Sequence, residues 1–206
     1  MKKVIASILS FITLTVFAAE RPIVKVETGS VQGVVEYNMQ AFKNIPYAAP
    51  PVGDLRWRPP QPAPAWSGVR DAANFGESCP QQYIKNLSTG LGLPGSEDCL
   101  KLNVYAPAQP GKKLPVMVWF HGGGLIVDGT RDPQFTPINL IKNGVIVVTV
   151  EYRLGSLGFF ASKELIEEAK AKGEPVGNYG TMDQIASLKW VKKNIEAFGG
   201  DPNNVT

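Results

Sequence analysis

The apolar residues of this chain fall into a few runs with distinct periods. Residues 115–120 (PVMVWF) are almost continuously apolar and bounded by Pro and Gly, the signature of a strand buried on both faces. Residues 145–150 (VIVVTV) form a second such run, rich in β-branched side chains. Between them, residues 131–141 predict a short helix starting after Pro133 or Pro137. Two buried strands joined through a helix predict a parallel α/β sheet. Residues 100–105 read as a shorter strand. Residues 23–37 alternate as a hairpin (IVKVET, VQGVVEY) turning at Gly29-Ser30. A helix is predicted over 162–170 with Ser162 as N-cap, and the clearest helix over 181–198. In the latter, Met182, Ile185, Leu188, Val191, Ile195 and Phe198 recur at spacings of three and four and predict the buried face. Gly199-Gly200 and Asp201-Pro202 stop it. Residues 41–66 are dense in proline, yet Phe42, Ile45, Tyr47, Leu55, Trp57 and Trp66 are interleaved. Linkers lack such aromatics, so an ordered, irregular segment lying on the sheet is expected.

The run at 115–120 stops at His121-Gly122-Gly123-Gly124. Three glycines in a row raise the backbone-entropy cost of folding and suit no strand or helix interior. At the carboxyl end of a buried strand they have a use: without side chains, N–H groups can approach a ligand atom closely and aim at it. Two such donors make an oxyanion hole for acyl transfer, and removing one costs roughly 3–4 kcal/mol of barrier. An HGGG loop is the oxyanion-hole element of lipases and esterases. His121, at the mouth of the loop, reads as ordering it rather than as a general base.

Composition changes the picture at the amino terminus. The 206 residues are 44% hydrophobic and 19% charged, ordinary for a globular domain. The start departs from this, with Lys2 and Lys3, an apolar or hydroxylated stretch over 4–17, then Ala18-Ala19. Residues 1–18 are expected to be a cleavable signal peptide, cut after Ala18, since a membrane span needs about twenty apolar residues. This implies a secreted or periplasmic protein, and the short Lys-initiated signal suggests a bacterial one. No cysteine follows the cut to take a lipid, so no stable membrane anchor is expected. Loss of Lys2 and Lys3 takes the formal charge from +3 to +1, which gives no basic patch for nucleic acid. Cys79 and Cys99 remain. Export permits a disulfide, worth about 3 kcal/mol on the loop-entropy estimate, and two free buried thiols are the alternative. One histidine in the chain argues against zinc.

In order along the chain, GSVQGV at 29–34, NIPYAAPPVGDLRWRPPQP at 44–62, SEDCLKLNVYAP at 96–107, VWFHGGG at 118–124, EYRLGSLGFFA at 151–161, GNYGTMDQIASLKWVKKNI at 177–195 and FGGDPNNVT at 198–206 resemble the type-B carboxylesterases, the family that includes the cholinesterases. The SEDCL stretch is the most specific; HGGG is shared with other α/β-hydrolases. Lys101 departs from the family's aromatic or Thr and reads as peripheral. The resemblance implies the amino-terminal part of an α/β-hydrolase fold: a mixed, mostly parallel sheet flanked by helices, with an N-terminal β-hairpin. It makes residues 19–206 the first part of one domain, cut before the Gly-x-Ser-x-Gly elbow. It also implies oxyanion donors at Gly123 and Gly124, loop support from His121 and Gly122, and a Cys79–Cys99 disulfide. Two buried ion pairs follow from the same pattern, Arg56–Glu97 and Arg153–Asp183.

The implied activity of the intact parent is serine hydrolysis of a small carboxylic ester, with no cofactor and no metal. The alternatives are a catalytically silent adhesion or binding relative and a non-functional truncated product. Gly76-Glu77-Ser78-Cys79-Pro80 and Leu154-Gly155-Ser156-Leu157-Gly158 both fail the elbow pattern, so these residues alone are expected to be inactive. The strand that the resemblance places on the other side of 115–120 would begin near Val205, where the sequence stops, so the 115–120 edge is expected to lie unpaired and to make the chain prone to aggregate.

Overall fold

A computed structural model describes residues 20–81, 95–111 and 113–206. The signal peptide predicted over 1–18 lies outside them. The described residues form two sheets. The larger is six-stranded and mixed, in the order β3 (Val34–Glu36), β4 (Met39–Pro46), β6 (Lys101–Pro107), β8 (Ile146–Val150), β7 (Leu114–Phe120), β9 (Gly200–Val205). From β3 to β8 neighbours run antiparallel; β8, β7 and β9 run parallel. The smaller sheet joins β1 (Ile23–Val26), β2 (Gly29–Gln32) and β5 (Val69–Asp71).

Helices cover both faces, as the pleat requires. Ile146, Val148 and Val150 alternate onto one face of β8, where they share a core with Leu102, Val104, Val116 and Trp190, Val191, Ile195 and Phe198. Trp190 and Val191 belong to α4 (Tyr179–Asn194), and Ile195–Phe198 is its 3₁₀ continuation. Val147 points to the other face and meets Met39, Ala41, Tyr105 and Ile141, the last on α1 (Ile138–Lys142). The remaining helices are α2 (Gly155–Phe159) and α3 (Lys163–Lys172). Ser162 caps α3, its Oγ accepting from the Leu165 N–H at 3.3 Å.

Several expectations need correction. The hairpin is shorter than 23–37 and turns two residues earlier, with Val26 opposite Gly29. The chain then leaves that sheet at Gly33, where a Cβ would lie 2.5 Å from the Ala41 carbonyl oxygen. That close approach hands residues 34–36 to the larger sheet. Within the proline-rich stretch expected to be irregular, Met39–Pro46 is a regular interior strand with a bulge between Phe42 and Ile45. Lys43 and Asn44 hid it, but Lys43 is buried against Glu36 at 2.7 Å. Lys101 is not peripheral: it is buried, pairs with Asp98, and its carbonyl accepts from the Glu151 N–H at 3.0 Å.

The edge of β7 is not bare. β9 pairs with it in parallel, matching Leu114 to Gly200 and Val116 to Val205, and Thr206 exchanges main-chain bonds with Val116 and Val118. GDPNNV is too polar to read as a strand, but an outer strand needs no apolar pattern and tolerates Pro202. The ground for expecting aggregation is thereby removed. In α4 the predicted face is rotated. Ile185 and Leu188 are 48% and 41% exposed, whereas Tyr179, Asp183, Ser187, Trp190, Val191 and Asn194 are buried.

The rotation has an electrostatic cause. Asp183 accepts from Arg153 Nε and Nη2, both at 2.8 Å, and from the Arg153 main-chain N–H at 3.1 Å. Both residues are buried, and the guanidinium lies over the Tyr179 ring, 5.3 Å from its centroid. Burial pushes the Asp183 carboxyl up while the Arg153 donors pull it down. Removing one partner strands a buried charge, which costs about 3–5 kcal/mol. Asp183→Ala should lower the urea unfolding free energy by about that much, and Arg153→Met combined with Asp183→Leu should recover most of the loss.

Candidate active site

The glycine loop leaves the carboxyl end of β7, between the two parallel neighbours β8 and β9. Gly123 and Gly124 have φ of 91° and 64°, the left-handed region that favours glycine. A Cβ on Gly123 would sit 2.1 Å from the Val127 carbonyl oxygen; around Gly122 there is open space and φ is ordinary. The Gly123 carbonyl accepts from Ile126 and Val127 N–H at 3.2 Å each, which curls the loop into a single turn. Among the described residues no acceptor takes the Gly123 or Gly124 N–H. Leu125 and Ile126 follow, each 45% exposed, and put an apolar rim beside them. The loop can therefore offer two unengaged donors next to apolar surface.

The loop is anchored chiefly by the segment after β8. The Tyr152 hydroxyl donates to the His121 carbonyl at 2.8 Å, and the Gly155 N–H to the Leu125 carbonyl at 2.7 Å. The Thr130 N–H and hydroxyl donate to Glu151 Oε1 at 2.6 and 2.9 Å. Asn103 on β6 donates to both Thr130 and Thr149 hydroxyls at 2.9 Å. The His121 ring is buried and stacks on Tyr152, with centroids 4.5 Å apart. Its Nδ1–H tautomer donates to the Gly122 carbonyl at 3.0 Å, and Nε2 has no partner among the described residues. Among the described residues, neither ring nitrogen thus bonds a hydroxyl.

Cys79 and Cys99, both fully buried, are joined by a disulfide with a Cα–Cα distance of 5.0 Å. Arg56 and Glu97 form a bidentate pair at 2.6 and 2.7 Å. It lies at the surface rather than buried as expected, because residues 53–58 bend outward through a 3₁₀ turn with no buried residue. Water screens such a pair, and it adds little to stability. Arg153 and Asp183, by contrast, link the anchoring segment to α4. Glu151 escaped the sequence reading. Its only signal is a carboxylate directly after an apolar strand, where the side chain must be buried.

Burial is the main influence on Glu151 and pushes its carboxyl above the usual range, against the pull of His121 and the Thr130 and Cys79 groups. With the folded pKa above the unfolded one, this group's contribution is intact below the unfolded glutamate range, about pH 4.3. It is lost as pH rises through the folded value. Glu151→Gln cannot ionise and its carbonyl still accepts from Thr130. It should raise Tm relative to the parent at about pH 8, with the advantage vanishing near pH 4 in paired thermal scans.

Comparison with known proteins agrees with this architecture. Residues 20–206 match the Carboxylesterase family. The Fumonisin B1 esterase of Sphingopyxis macrogoltabida is 47% identical over 182 residues, covering 87% of this chain and 33% of that protein. The Para-nitrobenzyl esterase of Bacillus subtilis is 45% identical over 186 residues, covering 89% and 37%. Among solved structures, a PNB esterase superposes with a TM-score of 0.80 at 43% identity, covering 90% of this chain and 37% of that one. A Geobacillus stearothermophilus carboxylesterase gives 0.78 at 40%, covering 90% and 37%. The chain thus spans about a third of the length of these relatives. On the strength of the family match and of an α/β-hydrolase sheet carrying a glycine loop on the middle one of its three parallel strands, this chain belongs to the carboxylesterase family.

Proposed function

We propose that these residues supply the oxyanion-binding part of an exported serine hydrolase acting on small carboxylic esters. The observation that carries the reading is the pair of unengaged N–H groups at Gly123 and Gly124, presented by left-handed glycines at the end of a central parallel strand. A serine of the complete gene product attacks the ester carbonyl, and the π pair moves onto the carbonyl oxygen. Gly123 and Gly124 N–H donate to that oxyanion, and the charge is stabilised where it develops. Collapse breaks the bond to the alkoxy oxygen, which leaves as the alcohol with the proton that the general base took from the serine, and water then cleaves the acyl–serine ester to release the acid and restore the serine. The nucleophile, acid and base belong to sequence matching the part of the relatives that this chain does not span. The Bacillus and Sphingopyxis relatives are named for ester hydrolysis, which supports the substrate class. A buried disulfide suits export. A silent binding protein would have no use for two unengaged donors.

The complete gene product should hydrolyse p-nitrophenyl acetate and be blocked by an organophosphate. Residues 20–206 alone should not exceed the buffer rate. In the complete protein, Gly123→Ala should reduce kcat by about 10²-fold or more, since the added Cβ collides with the Val127 carbonyl and displaces the donors. Gly122→Ala should leave Tm unchanged or slightly raised, because its backbone is already compatible with alanine. Organophosphate-insensitive turnover, or full activity in Gly123→Ala, would refute the assignment.

A further inference from the structure

The loop holds four left-handed residues, and two of them, Leu125 at 64° and Asp128 at 91°, are not glycine. Such conformations cost about 1–3 kcal/mol each and persist only where the surroundings over-determine them. Leu125 is held by Gly155. Asp128 is held differently. Its N–H donates to Gln81 Oε1 at 2.7 Å, and its carbonyl accepts from Gln81 Nε2 at 2.7 Å. One carboxamide thus closes a cyclic pair with both main-chain groups of a buried, strained residue, as a neighbouring strand would. Gln81 also donates to the Cys79 carbonyl at 3.2 Å, two residues from the disulfide. The strained return of the glycine loop is therefore referenced to the disulfide.

Resting on the function proposed above, the structure assigns Gln81 as a positioning residue for the oxyanion hole, acting on Gly123 and Gly124 through Asp128. It touches no reacting atom. Its role follows from geometry: donors misplaced by about 1 Å forfeit roughly 10²-fold in rate. Only a group that donates and accepts side by side can make the pair. Gln81→Ala leaves both Asp128 groups without the partner the carboxamide supplied. Gln81→Glu, when ionised, still accepts from the Asp128 N–H but sets a second oxygen against its carbonyl. When protonated it presents one acceptor and one O–H donor, and restores the pair.

The test uses the complete gene product and its Q81A and Q81E variants, assayed on p-nitrophenyl acetate between about pH 4.5 and 8, with Tm measured alongside. The Q81A variant should lose about tenfold or more in kcat with KM within about twofold. The Q81E variant should match Q81A at neutral pH and climb above it as pH falls toward the carboxylic acid range. The neighbouring ionisable groups, Asp128, Glu151, His121 and the Arg131–Glu77 pair, are common to both variants, so their titration cancels in that ratio. A lowered Tm with unchanged kcat in Q81A, or a flat Q81E-to-Q81A ratio, overturns the assignment. An inactive parent sinks the proposed function instead. Amide resonances of Gly123 and Gly124 then decide this inference: shifts in Q81A that revert in acidified Q81E support it, and unmoved resonances reject it.

Discussion

Among the described residues no acceptor takes the N–H groups of Gly123 and Gly124, and the bonds around the loop fix where those groups lie. Gly123 is half-buried and Gly124 exposed, so water can meet these donors, and it is their position that the neighbouring residues must fix. Here the neighbours are main-chain and side-chain bonds to His121, Leu125, Asp128 and Thr130. Three of these four come from residues 151–155, the segment that leaves β8. β7 and β8 lie side by side in parallel, so their carboxyl ends open onto the same corner. The parallel pairing thereby brings the anchor to the loop without any long-range adjustment.

The two central strands and the glycine loop were legible in the sequence because their physics is one-dimensional. A continuous apolar run means burial on both faces, and three glycines mean close backbone approach. What escaped was set by partners distant in sequence. Met39–Pro46 carries Lys43 and Asn44, polar residues whose burial depends on Glu36 and on Asn103, which accepts from the Asn44 N–H at 3.0 Å. Gly200–Val205 is a strand only because Leu114–Phe120 offers it an edge. No local periodicity encodes either fact. The candidate site divides in the same way: the glycines announce themselves, whereas Gln81 and Glu151 matter only because the fold sets them against the loop's return.

The two ion pairs inferred together from the same resemblance differ in kind. Arg56–Glu97 joins two surface segments and is screened by water. Arg153–Asp183 lies in the interior, and its guanidinium is bracketed by a carboxylate and the Tyr179 ring. Residue identity gave no means of separating them; the surrounding density of apolar atoms does. Lys101 carries the same lesson, since a lysine at a strand start reads as exposed until its aliphatic stem is seen packed and its ammonium paired with Asp98.

The inner face of α4 has a further consequence. An apolar helix face is forgiving, because a small rotation exchanges one methyl contact for another. This face instead buries Asp183, Ser187 and Asn194, and each meets a specific acceptor or donor. Ser187 donates to the Gln184 carbonyl within the helix itself, whereas two contacts reach outside it: Asn194 Oδ1 accepts from the Glu27 N–H, and Asp183 holds Arg153. Turning the helix by one residue would strand a carboxylate and an amide in a dry interior while gaining only the burial of Ile185 or Leu188. The polar pattern therefore works as a key with a single setting. The helix gives up some hydrophobic attraction, and in exchange its rotational position is fixed, along with that of Arg153 and the anchoring segment beside the glycine loop.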